Sequence, residues 1–135
     1  MRLLRTKGFL RGFFRRDRTR KPPLRYPADI EERIDKWVRE MNYRKPCRTN
    51  LETARDFGMD PGVLASYFKY VRGEDIRSWR TRLRIDDAKE LLKTRKNLSV
   101  SSIAWTVGFS DNSNFSRQFR KYTGLTPSEW RSVNT

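Results

Sequence analysis

The sequence predicts an all-α fold in which two tandem helix-turn-helix units are joined by a long linker helix. Three observations indicate this class. After Pro27, apolar residues recur at the three- and four-residue spacing of one helix face. Glycine ends several of these apolar runs, and a residue suited to cap the next helix follows soon after. Finally, the motifs of the first half recur in the second half, as expected for duplicated helical units.

The repeat is visible at two offsets. Ala54-x3-Gly58-Met59 matches Ala104-x3-Gly108-Phe109 at an offset of 50 residues. Later positions match at an offset of 51, where Leu64-x3-Phe68-Lys69, Gly73 and Trp79-Arg80 correspond to Phe115-x3-Phe119-Arg120, Gly124 and Trp130-Arg131. One additional turn residue therefore separates the two registers, and the chain contains two copies of one helical unit.

The first copy is predicted to follow a core-packing helix that carries Ile30, Ile34 and Trp37 on one face. Its own first helix begins with a capping box, Thr49-x-x-Glu52, and its second helix with Asp60-Pro61. We place the first helix-turn-helix at about residues 50–72 and the linker helix at about residues 75–94, which contain no Gly or Pro. Asp87 is expected to lie on the exposed face of this linker helix.

The second copy, at about residues 99–123, gives the clearest functional signal. Ser99 is its N-cap candidate, Gly108 ends its first helix, and Ser110 or Asp111 can cap the next. In that second helix, Phe115, Phe119 and Tyr122 are predicted to point inward. A polar face of amide, hydroxyl and basic side chains then remains for solvent or a ligand: Asn112, Ser113, Asn114, Ser116, Arg117, Arg120 and Lys121.

The amino-acid composition excludes several classes of function and favours one class of partner. The formal net charge is +15, so a polyanion is the default partner, with nucleic acid first and an anionic membrane surface second. The absence of His excludes a His-based triad or imidazole metal site, and Cys47 alone forms no internal disulfide. No nucleophile-base pairing, metal-ligand spacing or glycine-rich phosphate loop occurs. We therefore predict no catalytic residues, metal, cofactor or small-molecule site, and a cytoplasmic protein.

Residues 1–25 differ from residues 26–135, which we predict to be the DNA-binding domain. They contain ten Lys/Arg and one Asp, interleaved with Leu and Phe. This pattern suits an amphipathic helix at a membrane surface, a disordered basic arm that adds nonspecific DNA affinity, or an organellar transit peptide. No apolar run approaches the roughly 18 residues that span a bilayer.

The second copy closely resembles the DNA-binding domain of the AraC/XylS family of bacterial transcription regulators, and the first copy resembles it more loosely. The motifs are Arg84-Ile85-x2-Ala88-x2-Leu91-Leu92, Ile103-Ala104-x2-Val107-Gly108-Phe109, Phe115-Ser116-Arg117-x-Phe119-Arg120, Gly124, Thr126-Pro127 and Trp130-Arg131. Ser102 departs from the pattern, since the family usually has an acid there. The resemblance implies a seven-helix bundle, two recognition helices in adjacent major grooves of promoter DNA, and RNA polymerase as a further partner.

Candidate contacts follow from the outward faces of the two recognition helices. Base contacts are predicted for Asn112, Ser113, Asn114, Arg117, Ser66 and Gly62. Phosphate contacts are predicted for Lys69, Arg72, Ser116, Arg120 and Lys121. Because Gly62, Ala65 and Ser66 offer little hydrogen bonding, the second unit is expected to carry most of the base recognition. The alternative hypothesis is a peripheral membrane or scaffolding protein that acts through residues 1–21.

Overall fold

A computed structural model describes residues 25–46 and 49–134. This part of the chain contains seven α-helices and no strand. The helices are α1 (Ile30–Arg39), α2 (Asn50–Phe57), α3 (Pro61–Tyr67), α4 (Ile76–Thr94), α5 (Val100–Val107), α6 (Asn112–Thr123) and α7 (Pro127–Val133). A 3-10 turn (Asn42–Arg44) follows α1, and a π-helical segment (Phe68–Arg72) extends α3. The predicted fold class is confirmed. The predictions for residues 1–24 and for Cys47 lie outside the described residues.

The described chain divides into two compact units. Residues 25–37 and 49–79 form the first unit, and residues 38–46 and 80–134 form the second. The first turn of α4 belongs to the first unit and the remainder of that helix to the second. The sequence did not predict that the 3-10 turn, which precedes the first helix-turn-helix, would pack within the second unit.

Side-chain caps define where the helices begin. At α2, Thr49 Oγ1 accepts from the Glu52 amide at 3.1 Å while the Thr49 amide donates to Glu52 Oε2, which confirms the predicted capping box. Asp60 caps α3, with Pro61 as its first residue, and Ser99 caps α5. At α7, Thr126 and Glu129 form a second complete capping box, which the sequence analysis missed. The Thr126 amide donates to the Glu129 carboxylate at 2.9 Å, and this hydrogen bond lowers the pKa of Glu129.

The core of the first unit is mainly aromatic. The rings of Trp37 and Trp79 stack with centroids 5.3 Å apart, and Phe57 and Phe68 pack against them at 5.3 and 4.8 Å. All four side chains are buried. Aromatic pairs at such distances add about 0.5–1.5 kcal/mol each to the gain from burial. This cluster therefore holds together α1, α2, the π-helical segment that extends α3 and the first turn of α4, which fixes the orientation of the first recognition helix.

The second unit has its own core, formed by α4, α5 and α6 with α7 packed against it. Phe109, Phe115 and Phe119 form a continuous aromatic series with centroid distances of 5.2 and 5.7 Å. Trp130 of α7 contacts Phe119 edge-on at 6.0 Å, and its indole N–H donates to the Lys89 carbonyl at 3.3 Å. The remaining members are aliphatic side chains: Ile85, Ala88, Leu92, Ile103, Ala104 and Val107.

Two predictions about side-chain exposure were wrong. Tyr122 does not point inward with Phe115 and Phe119, because its side chain is 38% exposed at the carboxyl end of α6. Asp87 is not on an exposed face, since only 11% of its side chain is accessible. In both cases helical spacing shows on which side of the helix the residue lies. Whether that side is buried depends on the neighbouring elements that pack against it.

A network of polar contacts explains the burial of Asp87. Arg44 binds its carboxylate through Nε at 2.6 Å and Nη2 at 2.9 Å, and Tyr43 donates to it through the hydroxyl at 3.0 Å. Arg84, one turn earlier on α4, donates to the carbonyls of Tyr43 and Lys45 at 2.7 and 2.9 Å. Burial and the adjacent carboxylate of Asp87 raise the pKa of Tyr43 to about 12. These contacts attach the 3-10 turn to α4.

Asp87→Asn is expected to destabilise the protein by about 2 kcal/mol, because the half-buried Arg44 loses its charged partner. Asp86→Asn is the matched control. Asp86 is 60% exposed and lies 3.7 Å from Lys89, so its loss is expected to cost less than about 0.5 kcal/mol. Urea unfolding of both variants measures the difference. Equal changes in the two variants would show that the Arg44–Asp87 pair contributes little.

None of the helices in the described ranges is both long enough and apolar enough to cross a membrane.

Candidate nucleic-acid interface

The candidate interface is built on α6. Asp111 caps this helix by accepting from the Ser113 amide at 2.9 Å, and Gly124 ends it with a positive φ of 82°. Phe115 and Phe119 are both 0% exposed in the core of the second unit. Because these residues are spaced by four, they fix the rotation of the helix about its axis. The opposite face of α6 is therefore held outward in one orientation.

The outward face of α6 contains the predicted contact residues of the second unit. Asn112, Ser113, Arg117, Arg120 and Lys121 are exposed, while Asn114 and Ser116 are half-buried. An open groove of about 400 Å³ runs along this face, lined by Asn112, Ser113, Ser116, Arg117, Arg120 and Thr126. The structure thus brings most of the predicted residues into one surface. It adds Thr126, which was not among the predicted contact residues.

Arg117 and Asn114 form a polar pair on this surface. Arg117 Nη2 donates to Asn114 Oδ1 at 3.1 Å, across one turn of α6. The contact orients the guanidinium along the helix, and it leaves the Asn114 amide group and the other guanidinium N–H groups as donors. Such a pair matches the acceptor atoms of purine edges, which guanine presents as O6 and N7 and adenine as N7.

The charge on α6 is concentrated toward its carboxyl end. Arg117, Arg120 and Lys121 are exposed, and Lys121 Nζ also lies 5.8 Å from the ring of Tyr122. No acidic side chain occurs within α6, and Asp111 is occupied as its cap. A face with three cations and several neutral hydrogen-bonding groups suits a polyanion that carries base edges.

The first recognition helix, α3, exposes fewer side chains that can form hydrogen bonds than α6 does. Gly62 and Ala65 are exposed, and Asp60 Oδ2 accepts from the amides of Gly62 and Val63 at 2.8 and 3.2 Å. Ser66, a predicted base contact, is half-buried and its Oγ lies 2.8 Å from the hydroxyl of Tyr26. A residue ahead of α1 therefore covers part of the recognition face. The sequence analysis missed Tyr26, because nothing local links it to a residue forty positions later.

The two cations predicted to bind phosphate in the first unit differ in their surroundings. Lys69 is half-buried, with Nζ 5.3 Å from the ring of Tyr70. Arg72 binds Glu31 at 3.0 Å, and its guanidinium carbon lies 5.1 Å from the Phe68 ring. Only 16% of its side chain is accessible. Because Arg72 is engaged inside the unit, we do not assign it a phosphate contact.

Glu31 is the centre of this internal network. Besides binding Arg72, it accepts from the hydroxyl of Tyr67 at 2.5 Å. Burial, and then this hydrogen bond, raise the pKa of Tyr67. The Tyr67 ring in turn meets the ring of Tyr26 edge-on, with centroids 5.1 Å apart. A series of contacts therefore connects α1, the inner face of α3 and Tyr26, which covers Ser66.

The helix-turn-helix domain model matches residues 53–132, which is more than half of the chain and includes both recognition helices. The chain belongs to the AraC/XylS family. Among AraC/XylS relatives, YesN, an uncharacterized transcriptional regulatory protein of Bacillus subtilis strain 168, is 47% identical over 74 residues, covering 54% of this chain and 20% of YesN. The arabinose operon regulatory protein of Escherichia coli K12 is 39% identical over 74 residues, covering 55% and 25% of the two chains.

Solved structures agree with this AraC/XylS assignment. The C-terminal domain of the two-component response regulator yesN from Fusobacterium nucleatum is 29% identical, with a TM-score of 0.68 over 77% of this chain and 99% of that domain. The chain spans only a fifth to a quarter of the two curated relatives. It therefore matches the AraC/XylS DNA-binding domain and not the remainder of those proteins.

Proposed function

We propose that the chain binds promoter DNA sequence-specifically and regulates transcription. The observation that carries this proposal is the exposed face of α6, where amide, hydroxyl and guanidinium groups lie opposite a fully buried pair of phenylalanines. Membership of a family whose named relatives are transcriptional regulators supports it. Among the described residues, no group of three or more Asp, Glu or Cys is placed to hold a metal.

Within α6 we assign two kinds of contact. Asn112, Ser113, Asn114 and Arg117 lie in its first turns, the part of a recognition helix that contacts base edges in the major groove. Ser116, Arg120 and Lys121 bind phosphates, since cations and hydroxyls contact the backbone without reading sequence. In the first unit, the exposed Gly62 allows close approach to bases and Lys69 binds a phosphate, while Ser66 is a secondary base contact because it is paired with Tyr26.

We further propose that one chain binds as a monomer to two half-sites about 10 bp apart, one for each unit. The uninterrupted helix α4 has 19 residues and is roughly 30 Å long, and its first turn belongs to the first unit and the remainder to the second. In this proposal the protein acts in the cytoplasm on the nucleoid, and RNA polymerase is its partner at the promoter.

Binding-site selection from a random duplex library, followed by titration of the selected duplex at several salt concentrations, tests the function. We expect a strong preference for the selected duplex over a random one of equal length. Affinity should fall steeply with salt, by about 10³-fold or more between 50 and 200 mM if at least six phosphates are contacted. Vesicles of anionic lipid, added as competitor, separate this function from membrane binding.

Equal affinity for selected and random duplexes would contradict the proposal. So would a footprint on the selected duplex that is confined to one major groove, because a single major-groove contact cannot accommodate both units.

A further inference from the structure

We propose that Arg84 is a positioning residue for base recognition, because it holds the turn between α5 and α6 in the place that sets the outward face of α6. The inference rests on the proposed function and deepens it, since it names a residue that touches no base and yet determines base preference. Arg84 lies on α4 and is half-buried in the second unit.

The guanidinium of Arg84 is fixed by two backbone carbonyls. Its Nε donates to the Tyr43 carbonyl at 2.7 Å, and its Nη2 donates to the Lys45 carbonyl at 2.9 Å. Both acceptors belong to residues 38–46, which pack within the second unit. A planar guanidinium can donate to two acceptors in a fixed fork, whereas a lysine ammonium cannot reproduce that geometry. The position of this guanidinium is therefore well defined.

The same guanidinium lies against the turn that precedes α6. A Cβ on Gly108 would lie 2.7 Å from Arg84 Nε, so the backbone of this turn leaves no room for a side chain beside the arginine. The next residue, Phe109, is 5% exposed, and its ring centroid lies 5.8 Å from the guanidinium carbon. A cation at this distance from an aromatic ring is attracted to it. Arg84 thus lies beside the first two residues of the turn.

Phe109 connects the turn to the recognition helix. Its ring centroid is 5.2 Å from that of Phe115, which is fully buried in the first half of α6. Arg117, to which we assign a base contact, lies two positions beyond Phe115 and on the opposite side of the helix. Binding groups must be held within about 0.5 Å of their productive geometry. A displacement of Phe109 would therefore move the base-contacting side chains away from their partners.

Arg131 provides a matched control within the second unit. Its Nε donates to the Leu92 carbonyl at 3.1 Å and its Nη2 to the Arg95 carbonyl at 3.2 Å, so it uses the same atoms on the same kind of acceptor. These carbonyls lie at the carboxyl end of α4 and just beyond it. Replacing either arginine removes two hydrogen bonds to backbone carbonyls, whereas the contacts with the turn before α6 belong to Arg84.

The first test compares Arg84→Lys with Arg131→Lys in the full chain. Each variant is titrated with the selected duplex and with duplexes that carry single base-pair changes in the half-site affected by Arg117→Ala. We expect Arg84→Lys to lower the preference for the selected duplex by about fivefold or more, as for the loss of one bidentate base contact. Arg131→Lys should change this preference by less than about twofold. Circular dichroism at the titration temperature confirms that both variants are folded.

A double-mutant cycle tests whether Arg84 acts through α6. If Arg84 positions Arg117, its replacement costs less affinity when Arg117 is already absent, so the two losses should depart from additivity by about fivefold. The same cycle with Lys69→Ala, in the first unit, should be additive within about twofold. Phe109→Leu removes the ring between Arg84 and α6 and should reproduce the lost preference. It gives the same comparison if Arg84→Lys does not fold.

The outcomes separate this inference from the proposed function. If the full chain shows no preference for its selected duplex, the proposed function itself fails. If that preference stands but Arg84→Lys and Arg131→Lys discriminate bases equally well, or if the cycle with Arg117→Ala is additive, the inference is overturned. It is also overturned if Arg84→Met reduces the slope of log K against log salt by about 0.9, because Arg84 would then bind a phosphate itself.

Discussion

Gly108→Ala is expected to destabilise the protein by about 3 kcal/mol. Gly108 has a φ of 114°, and a left-handed conformation costs an L-residue about 1–2 kcal/mol. A Cβ there would also lie 2.7 Å from Arg84 Nε and 2.9 and 3.0 Å from the carbonyl oxygens of Arg44 and Tyr43. Two of these neighbours are backbone atoms of the 3-10 turn, which Arg84 holds in place, so overpacking adds about 1–3 kcal/mol.

Gly58 offers a matched control, because it occupies the same position in the first copy of the repeat. Its φ is 67°, yet a Cβ there would meet nothing within 4 Å. Gly58→Ala is therefore expected to cost only the conformational term, about 1 kcal/mol. Urea unfolding of both variants gives the comparison. A cost for Gly58→Ala as large as that for Gly108→Ala would mean that the 3-10 turn does not constrain the second unit.

Arg117→Ala is expected to weaken binding to the selected duplex by about 1–3 kcal/mol, and to relax base preference at one or two positions. The guanidinium is exposed on the outward face of α6 and is oriented by its contact with Asn114. Removing it deletes a bidentate donor and frees the Asn114 side chain. Binding-site selection on the variant measures the change in preference, and titration measures the change in affinity.

Three further variants sharpen this prediction. Arg117→Lys keeps the charge but not the forked donor geometry, so it should preserve the salt slope and still lose base discrimination. Lys121→Ala should weaken binding to all sequences alike and reduce the salt slope by about 1. Ser66→Ala should barely alter base preference, since Ser66 is already paired with Tyr26. If Ser66→Ala relaxes base preference more than Arg117→Ala does, the first unit carries most of the base recognition and the prediction is wrong.

Local features of the fold were predictable because local chemistry determines them. The caps at Thr49, Asp60 and Ser99 bond to amides within three residues, so the sequence alone places these helix starts. The repeat likewise predicted that Gly58 and Gly108 are equivalent helix ends, and both have positive φ. The outward face of α6 followed from the spacing of its two buried phenylalanines.

Contacts between distant residues were not predictable from spacing. Arg84 reaches the carbonyl of Tyr43 across 41 positions, and Asp87 reaches Arg44 across 43. The contact of Tyr26 with Ser66 was not predicted for the same reason, since the sequence around Tyr26 does not indicate its partner forty positions later. Helical periodicity indicates which side of a helix a residue occupies, whereas tertiary packing determines what covers that side.

Methylation protection of guanine N7 on the selected duplex tests the central claim most directly, because this atom lies in the major groove. We expect two protected stretches about 10 bp apart on one face of the duplex. In Arg117→Ala, protection at one stretch should weaken while the other persists. Protection confined to a single stretch, or unprotected guanines throughout a bound duplex, would contradict binding by two recognition helices in successive major grooves.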